Sequence, residues 1–446
     1  MSTPWQDLPA AANKAELLLE VIAANRRRGQ VGIYSICSAN RFVLEAGMRQ
    51  AERDGTVVLV ESTSNQVNQF GGYTGMTPAD FRAFVRSIAA DTGFPGSRVV
   101  FGGDHLGPHV WRSEPAASAM AKARRLVDDC VMAGYTKLHL DASMRLADDP
   151  PDRPVDDEVV GERAADLCQA AERARARLPE GSPPPVYVVG TEVPIPGGEL
   201  AGQAAPAVTR AEDVERTLTL TREAFLRRGL HAAWDLVVAV VVQPGVEFGD
   251  ASIFEYNRAA AADLSRFIER DWLLAYEAHS TDYQTPEALR EMVEDHFAIL
   301  KVGPWLTFAV REALYALESI EREWLGRRAD VTPSHLRETL QRVMIEHPED
   351  WRPYYRGDDD ELRFARDFSF SDRARYYWPR PEIQTALDRL LRNLAARPIP
   401  LALLSQYLPV EYQAVRAGTL RNDPGEFIRH RIVEVMDDYA AACGMK

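Results

Sequence analysis

The sequence has only 4 cysteines in 446 residues, and no pair of them has a C-x-x-C spacing. This scarcity excludes a disulfide framework and paired-cysteine metal sites, and it predicts reduced thiols in a cytoplasmic protein. The first residues include no apolar segment of the signal-peptide type, and the longest apolar run, LVVAVVVQPG, is too short to cross a bilayer. We therefore expect a cytoplasmic protein that does not bind membranes.

Positive charge is also scarce, because 52 Lys and Arg residues stand against 66 Asp and Glu residues, a net charge of −14. A protein that binds nucleic acid needs a basic stripe, so we predict no nucleic-acid partner. The motifs G-x-G-x-x-G and G-x-x-x-x-G-K-[ST] are absent, which argues against a Rossmann dinucleotide site and a P-loop kinase. What the chain does have is an apolar fraction of 46%, enough for a large core.

Eight short apolar runs alternate with helical patterns and predict eight buried parallel strands. The runs cover residues 31–38, 56–62, 98–105, 137–143, 186–193, 236–243, 273–280 and 297–303. This alternation is typical of a (β/α)₈ TIM barrel, which we expect over residues 1–304. Long amphipathic patterns then predict a mainly helical C-terminal extension over residues 305–446 that packs on the barrel.

Most of the predicted strands end on polar side chains, and in a barrel these carboxyl ends meet at one mouth where active sites lie. A single Gly-Asp or Gly-Pro could be ordinary turn chemistry, but a whole set of such endings indicates a functional site. Two histidines and a carboxylate at the mouth suit a divalent metal (Zn, Mn, Co or Ni), with an amide oxygen as a further donor. The predicted metal ligands are His105, Glu192, His279 and Gln243. A hydrogen-bonded polar ring without metal is the alternative.

Three carboxylates are the predicted acid/base groups. Asp104 is adjacent to His105, and both can reach the mouth if the strand alternation breaks at the neighbouring glycines. Glu277 and Asp282 flank His279. Lys301 could form a Schiff base, but an ion pair with a carboxylate of the preceding strand is the alternative.

The remaining polar residues near the strand ends are predicted to bind a small polar substrate. The loop ESTSNQVNQFGGYTG (61–75) offers hydroxyls and amides, although such a loop can also bond only its own backbone. In residues 351–378, arginines could fold over the mouth and hold a phosphate, or they could belong to a packing seam between helices. The predicted substrate-binding residues are Glu61, Asn65, Gln66, Asp141, Ser143, Lys301, Arg373 and Tyr376, with Arg375 and Ser371 beside the last two.

Several longer motifs resemble the GatZ/KbaZ family, named for the noncatalytic subunit of class II D-tagatose-1,6-bisphosphate aldolase. The motifs are ICSANRFVLEA, VLVESTSNQVNQFGGYTGM, GGDHLGP, KLHLDAS, TEVPIPGG, YEAHSTDYQTP, LKVGP, RYYW and LLSQYLP. The resemblance implies a TIM barrel with a helical extension and a role in tagatose or galactitol catabolism. Some similar proteins are described as metal-dependent 4-epimerases and others as tagatose 6-phosphate kinases.

The chain also resembles catalytic class II aldolases, in which an Asp-His pair ends a strand, the His binds zinc and the Asp moves protons. Asp104 and His105 match that pair, and Glu192 and His279 are similar to further zinc-associated residues. The pattern departs at Gln243, where such an aldolase has a histidine, and no G-G-S-G loop follows the seventh strand.

The resemblance therefore implies one of two functions. The first is a metal-dependent 4-epimerase that interconverts D-tagatose 6-phosphate and D-fructose 6-phosphate. The second is a noncatalytic subunit that stabilises a class II aldolase catalytic subunit. A ketose or ketose phosphate is the expected ligand, and the chain could form a homo-oligomer.

Overall fold

The computed structural model describes residues 3–190, 206–271 and 273–446. The strands of this part of the chain are β1 (Ile33–Ile36), β2 (Val58–Thr63), β3 (Val99–Leu106), β4 (Lys137–Leu140), β5 (Val186–Val189), β6 (Val237–Val241), β7 (Glu247–Phe248), β8 (Ile253–Phe254), β9 (Ala275–Ala278) and β10 (Ile299–Val302). Eight of them are parallel and form a closed barrel in the order β1-β10-β9-β6-β5-β4-β3-β2, which confirms the predicted TIM barrel. The barrel closes where β1 pairs with β10, and β7 and β8 form a short antiparallel hairpin outside it.

Helices cover the outside of the barrel, and side chains cap several of them at the strand-to-helix turns. The helices are α1 (Lys14–Arg28), α2 (Arg41–Arg53), α3 (Pro78–Thr92), α4 (Ala116–Met132), α5 (Asp157–Arg175), α6 (Ala211–Arg227), α7 (His231–Trp234), α8 (Arg258–Asp271), α9 (Pro286–Glu294) and α10 (Pro304–Leu325). Asn40 caps α2, and Thr77 with Asp80 forms a capping box on α3, each satisfying free N–H groups of a first turn.

The C-terminal region is helical and shares one hydrophobic core with the barrel. Its helices after α10 are α11 (Leu336–Glu346), α12 (Asp359–Phe368), α13 (Pro381–Ala395), α14 (Leu401–Tyr407), α15 (Pro409–Arg416) and α16 (Pro424–Ala442). The last helix, α16, packs against α2, α9 and α10, so the end of the chain covers the junction where the barrel closes. Within the described residues, no helix combines the length and the apolar character that a membrane crossing requires.

The end of β3 is irregular, and glycines make that irregularity possible. His105 has a left-handed backbone with a φ of 48°, and the pairing of β3 with β4 shifts between Gly103 and Leu106. A Cβ on Gly102 would lie 2.6 Å from Cγ of Glu61. A Cβ on Gly107 would overlap the carbonyl oxygen of Asp141 at 1.5 Å. The broken alternation lets consecutive residues, Asp104 and His105, both line the mouth.

Candidate active site at the barrel mouth

Four buried side chains from three strand ends come together at the mouth, and we call them the mouth cluster. One donor atom from each lies within 4.8 Å of a donor atom from every other. The cluster consists of Asp104, His139, Glu277 and His279. Two imidazoles and two carboxylates are a donor set that suits Zn²⁺, Mn²⁺, Co²⁺ or Ni²⁺.

Asp104 uses its two carboxylate oxygens differently. Oδ1 lies 3.0 Å from Nδ1 of His139 and 3.0 Å from Nζ of Lys301. Oδ2 lies 3.7 Å from Nε2 of His105 and 3.8 Å from Sγ of Cys37, so it is bound less closely. Burial raises the pKa of Asp104, but the charges of His105 and Lys301 outweigh burial and hold this pKa well below its usual range. Asp104 is therefore an ionised carboxylate with one oxygen left for further contacts.

His105 is oriented by a carboxylate at the end of the next strand. Its Nδ1 lies 2.8 Å from Oδ2 of Asp141, and Oδ1 of Asp141 accepts hydrogen bonds from the backbone and hydroxyl of Ser143. Burial lowers the pKa of His105, whereas Asp104 and Asp141 raise it by more, so the net shift is upward. Nε2 of His105 is left facing Asp104, which makes the pair a candidate for proton transfer.

His279 differs from His105 in its protonation. Burial lowers the pKa of His279 to about 4, although Asp104 and Glu277 act in the opposite direction. Its Nε2 lies 3.0 Å from Oε1 of Glu277. His139 has a buried Nε2 without a hydrogen-bond partner in the described part of the chain. A neutral imidazole and an unpartnered buried imidazole nitrogen are what a metal ligand requires, so the cluster fits a divalent metal.

Beneath the mouth cluster lies a fully buried network of charges, which we call the floor network. Nζ of Lys137 lies 2.7 Å from Oε1 of Glu61 and 2.6 Å from Oε2 of Glu277. Lys301 pairs with Oε2 of Glu61 and lies 3.4 Å from Oε1 of Glu277. Burial lowers the pKa of Lys301, but Asp104, Glu277 and Glu61 raise it well above its ordinary value. Because Lys301 contacts both carboxylates of the mouth cluster, its ammonium and a metal compete for the same oxygens.

Above the mouth cluster, a pocket opens between the strand ends, the loop 61–75 and two residues of the C-terminal region, Arg375 and Tyr376. Asp104, His105, His279, Asp282 and Lys301 line its inner part. We call the outer part the rim; its residues are Asn65, Tyr73, Arg375 and Tyr376. The rings of Tyr73 and Tyr376 meet edge to face with centroids 4.6 Å apart. The rim therefore combines a barrel loop with the C-terminal region.

Asp282 lines the pocket, and its side chain also bonds the backbone at the start of α10. Its Oδ1 accepts hydrogen bonds from the backbone N–H groups of Gly303, at 3.0 Å, and Trp305, at 2.8 Å. Burial raises the pKa of Asp282 to about 6, although these N–H groups act to lower it. A carboxyl with a pKa close to neutrality is suited to general acid/base work.

Most of the other residues that the sequence analysis selected are bonded to groups of the protein itself. Gln66 lines the pocket, but its amide donates to the carbonyl of Cys37 and accepts from the N–H of Thr63. Gln243 accepts a hydrogen bond from the N–H of Gly245 instead of facing the other donors. Ser143 bonds Asp141, and Glu61 and Glu277 belong to the floor network. Glu192 lies outside the described residues.

In the C-terminal segment, the structure distinguishes between neighbouring arginines. Arg373 donates to the carbonyl of Asp350 and stacks on Tyr354. Its guanidinium lies 5.9 Å from the ring centre of Tyr376, but Arg373 itself is not part of the pocket lining. Arg375, two residues later, lines the pocket beside Tyr376. Ser371 is buried and bonds Tyr355 and Ser369.

Two residues of the site, Lys137 and His139, were not selected from the sequence as functional residues. Both lie on β4, where the pattern K-L-H-L alternates polar and apolar side chains. Because successive side chains of a strand point to opposite faces, Lys137 and His139 lie on one face of β4, and Leu138 and Leu140 lie on the other. That alternation was the signal that could have assigned both polar residues to the barrel interior.

The chain is similar to one protein family over nearly its whole length and to several solved structures. The family model for D-tagatose-1,6-bisphosphate aldolase subunit GatZ/KbaZ-like proteins matches residues 18–444. The crystal structure of a probable tagatose 6-phosphate kinase from Sinorhizobium meliloti 1021 is 45% identical and superposes with a TM-score of 0.84, covering 92% of this chain and 100% of that one. A fructose-bisphosphate aldolase from Campylobacter jejuni is 13% identical, with a TM-score of 0.49 over 88% of this chain and 96% of that one.

Proposed function

Because the chain belongs to the D-tagatose-1,6-bisphosphate aldolase subunit GatZ/KbaZ-like family, we propose that it is a metal-dependent 4-epimerase of D-tagatose 6-phosphate and D-fructose 6-phosphate. The mouth cluster carries this proposal, since it joins a metal-type donor set to ionisable groups at the inner wall of a pocket. Nε2 of His139, which is buried without a hydrogen-bond partner among the described residues, is an available donor atom for that metal.

Three side chains are the proposed acid/base groups of the reaction. Asp104 is the group that moves the proton, through Oδ2, while Oδ1 stays bound to His139 and Lys301. His105, fixed by Asp141, faces Oδ2 and can exchange a proton with it. Asp282 is a second acid/base candidate because its pKa, about 6, lets it lose and regain a proton near neutrality.

The metal has one task in the proposal. Held by the mouth cluster, it would act as a Lewis acid toward oxygens of the ketose. Lys137 and Lys301 neutralise Glu61 and Glu277 below it, which keeps the buried acidic groups from repelling an anionic substrate.

Inversion at C4 can follow two routes, and isotope exchange separates them. In the first, the C3–C4 bond breaks by a retro-aldol step, the aldehyde fragment rotates and the bond reforms. In the second, the carbonyl moves from C2 to C3 through an enediol, the proton at C4 is then acidic enough to be removed, and it is replaced from the other face before the carbonyl returns to C2. Turnover in D₂O introduces deuterium at C4 only by the second route, as NMR of the product would report.

The test of the proposed function uses the purified chain alone. The chain is incubated with tagatose 6-phosphate and Mn²⁺, Zn²⁺ or Ni²⁺, and fructose 6-phosphate is measured by a coupled assay. We expect product that disappears on chelation and falls about 10²- to 10⁴-fold in Asp104→Asn. Asp91→Asn, which changes an exposed aspartate paired with Arg41, is the matched control and should keep full activity. No product with any of the metals would overturn the proposal.

A second candidate follows from the family description, which names an aldolase subunit. In this candidate the chain stabilises a separate class II aldolase catalytic subunit. Co-purification of the two chains, with a rise in aldolase activity when this chain is added, would support it. If the chain neither binds the catalytic subunit nor changes its activity, the subunit candidate is rejected.

A further inference from the structure

We infer that Arg375 recognises an anionic group at the end of the substrate and so determines that the site takes ketose phosphates or ketose carboxylates in preference to free ketoses. This inference rests on the proposed function and names its substrate class. It follows from the position of Arg375, from the hydrogen bonds of its guanidinium and from the balance of charge in the pocket.

Arg375 is half-buried in the rim and lines the same pocket as Asp104 and His279. Its Nη1 donates to the carbonyls of Ser371 and Asp372, and its Nη2 donates to the hydroxyl of Tyr376 at 3.1 Å. A guanidinium has five N–H groups. Among the described residues, the N–H of Nε and one N–H of Nη2 have no partner, and two such groups can bind a phosphate or carboxylate as a fork.

The charge of Arg375 is also uncompensated at close range. The lysine of the lining, Lys301, is ion-paired with Glu61 and Asp104. Arg375 has no carboxylate within ion-pair distance in the described ranges, and the neighbouring Asp372 pairs with Arg311 instead, at 3.0 Å. A partly buried cation without an anionic partner is costly, so an anion that enters the pocket is bound strongly there.

The segment around Arg375 is held in place before any ligand binds. Asp372 has a left-handed backbone with a φ of 42° at the start of the short helix Arg373–Tyr376. Its Oδ2 accepts a hydrogen bond from the hydroxyl of Thr307 on α10, at 2.6 Å, and the Asp372–Arg311 pair is fully buried. Because these contacts fix the turn, little conformational entropy is lost when Arg375 binds an anion.

The test measures binding rather than turnover. Isothermal titration calorimetry is done in the presence of a chelator on the wild type, Arg375→Gln and Arg373→Gln. The ligands are tagatose 6-phosphate, the ketohexuronate that carries a carboxylate at C6, and free tagatose. Arg373→Gln is the matched control because it removes a guanidinium from the same turn that lies outside the pocket lining.

We expect the wild type to bind at least one of the two anionic ketoses more tightly than free tagatose. Arg375→Gln should weaken binding of that anionic ketose about 10- to 100-fold and leave free tagatose unchanged. Arg373→Gln should keep the preference for the anion. The ligand that responds more strongly identifies phosphate or carboxylate as the natural terminal group.

The inference is overturned if the wild type has no preference for anionic ketoses, or if Arg375→Gln binds them as tightly as the wild type. If Arg375→Gln does not fold, Arg375→Lys replaces it in the test. This variant keeps the positive charge but loses the paired N–H groups of the guanidinium, so it should bind the anionic ketose with intermediate affinity. Because no turnover is needed, a chain without epimerase activity that still shows this Arg375-dependent binding would disprove the proposed function and retain the inference.

Discussion

The floor network and the rim are two parts of one site, and they handle charge in opposite ways. In the floor network, the side chains of Glu61, Lys137 and Glu277 are fully buried, and each charge is paired with a charge from another strand. In the rim, the guanidinium of Arg375 is half-buried, donates only to neutral oxygens and keeps two N–H groups free among the described residues.

The floor network therefore depends on folding alone, whereas the rim has hydrogen-bond donors that a ligand can pair. In the floor network, each charge has an opposite charge within ion-pair distance inside the protein, so its geometry is fixed when the β-strands pair. Removing one charge leaves the others buried in a low dielectric without that partner. The rim leaves donors for a ligand, and its geometry depends on contact between a barrel loop and the C-terminal region. Changes in the floor network should therefore alter stability, and changes in the rim should alter binding.

The largest expected effect is that of Lys137→Met. Glu61 and Glu277 would then share the barrel interior without this ammonium, and we expect a loss of about 3–5 kcal/mol in the free energy of unfolding, measured by urea denaturation, or no folded protein. The control is Lys122→Met, which removes a partly exposed ammonium paired with Glu114 and should cost less than about 1 kcal/mol. If both variants lost the same free energy of unfolding, the buried ion pairs of the floor network would matter no more to stability than a surface ion pair.

The next effect concerns metal binding by the mouth cluster. Removal of a residue that only hydrogen-bonds a metal ligand typically lowers metal affinity about 10- to 100-fold. Removal of a ligand itself, as in His139→Gln or His279→Gln, should therefore weaken metal binding by at least about 100-fold. Mass spectrometry of metal content after dialysis against a weak chelator measures this. His109→Gln, a buried histidine outside the cluster with Ser64 at 3.3 Å, is the control and should keep the metal. Normal metal content in both cluster variants would exclude the mouth cluster as the metal site.

His105→Gln sharpens the same experiment, because the sequence analysis selected His105 as a ligand and not His139. Nδ1 of His105 lies 2.8 Å from Asp141, and His105 is not a member of the mouth cluster. Metal retained in His105→Gln assigns the site to His139 and His279. Metal lost in His105→Gln and retained in His139→Gln assigns it to the set predicted from the sequence.

Asp282 connects the two regions and should make stability depend on pH. Its pKa in the folded chain is about 6, above the ordinary aspartate value of about 3.9, so between these values the folded state binds more protons than the unfolded state. The free energy of unfolding should therefore fall as pH rises from about 4 to 6, by at most about 3 kcal/mol, and stay lower above that range.

Asp282→Asn isolates this contribution, because the amide oxygen can still accept from Gly303 and Trp305. The free energy of unfolding of the variant minus that of the wild type should rise between pH 4 and pH 7, as measured by denaturant titrations at each pH. Any effect of the altered hydrogen bonds is constant across this range. A difference that does not change with pH would show that the protonation of Asp282 is not coupled to folding.

The fold could be predicted from the sequence because its signal is local. Each buried strand is a short apolar run bounded by helical patterns, and eight repeats allow few architectures other than a barrel. Strand lengths were less accurate: residues 31–38 and 273–280 were predicted, whereas the structure has Ile33–Ile36 and Ala275–Ala278. The outer residues of those runs turn into loops that carry the polar groups of the mouth.

The site could be predicted only in part, because it depends on which way side chains point. Asp104 and His279 were selected from their strand ends, but His139, which stands inside β4, was not selected as a site residue. The sequence analysis selected Arg373 to bind substrate, with Arg375 beside it, whereas Arg375 is the one that lines the pocket. In a 3₁₀ turn, residues two apart point in different directions, and this separates Arg373 from Arg375.

The smallest expected effect tests the contact that joins the loop 61–75 to the C-terminal region. Tyr73 and Tyr376 meet edge to face at 4.6 Å, and such aromatic pairs contribute about 0.5–1.5 kcal/mol beyond their buried area. A double-mutant cycle with Tyr73→Leu, Tyr376→Leu and the double variant should give a coupling energy of that size in urea denaturation. If the rim is held by this pair, tagatose 6-phosphate binding should weaken in either single variant and no further in the double variant. Additive losses in both measurements would instead mean that the loop and the C-terminal segment reach the pocket independently, and that the rim is two surfaces rather than one.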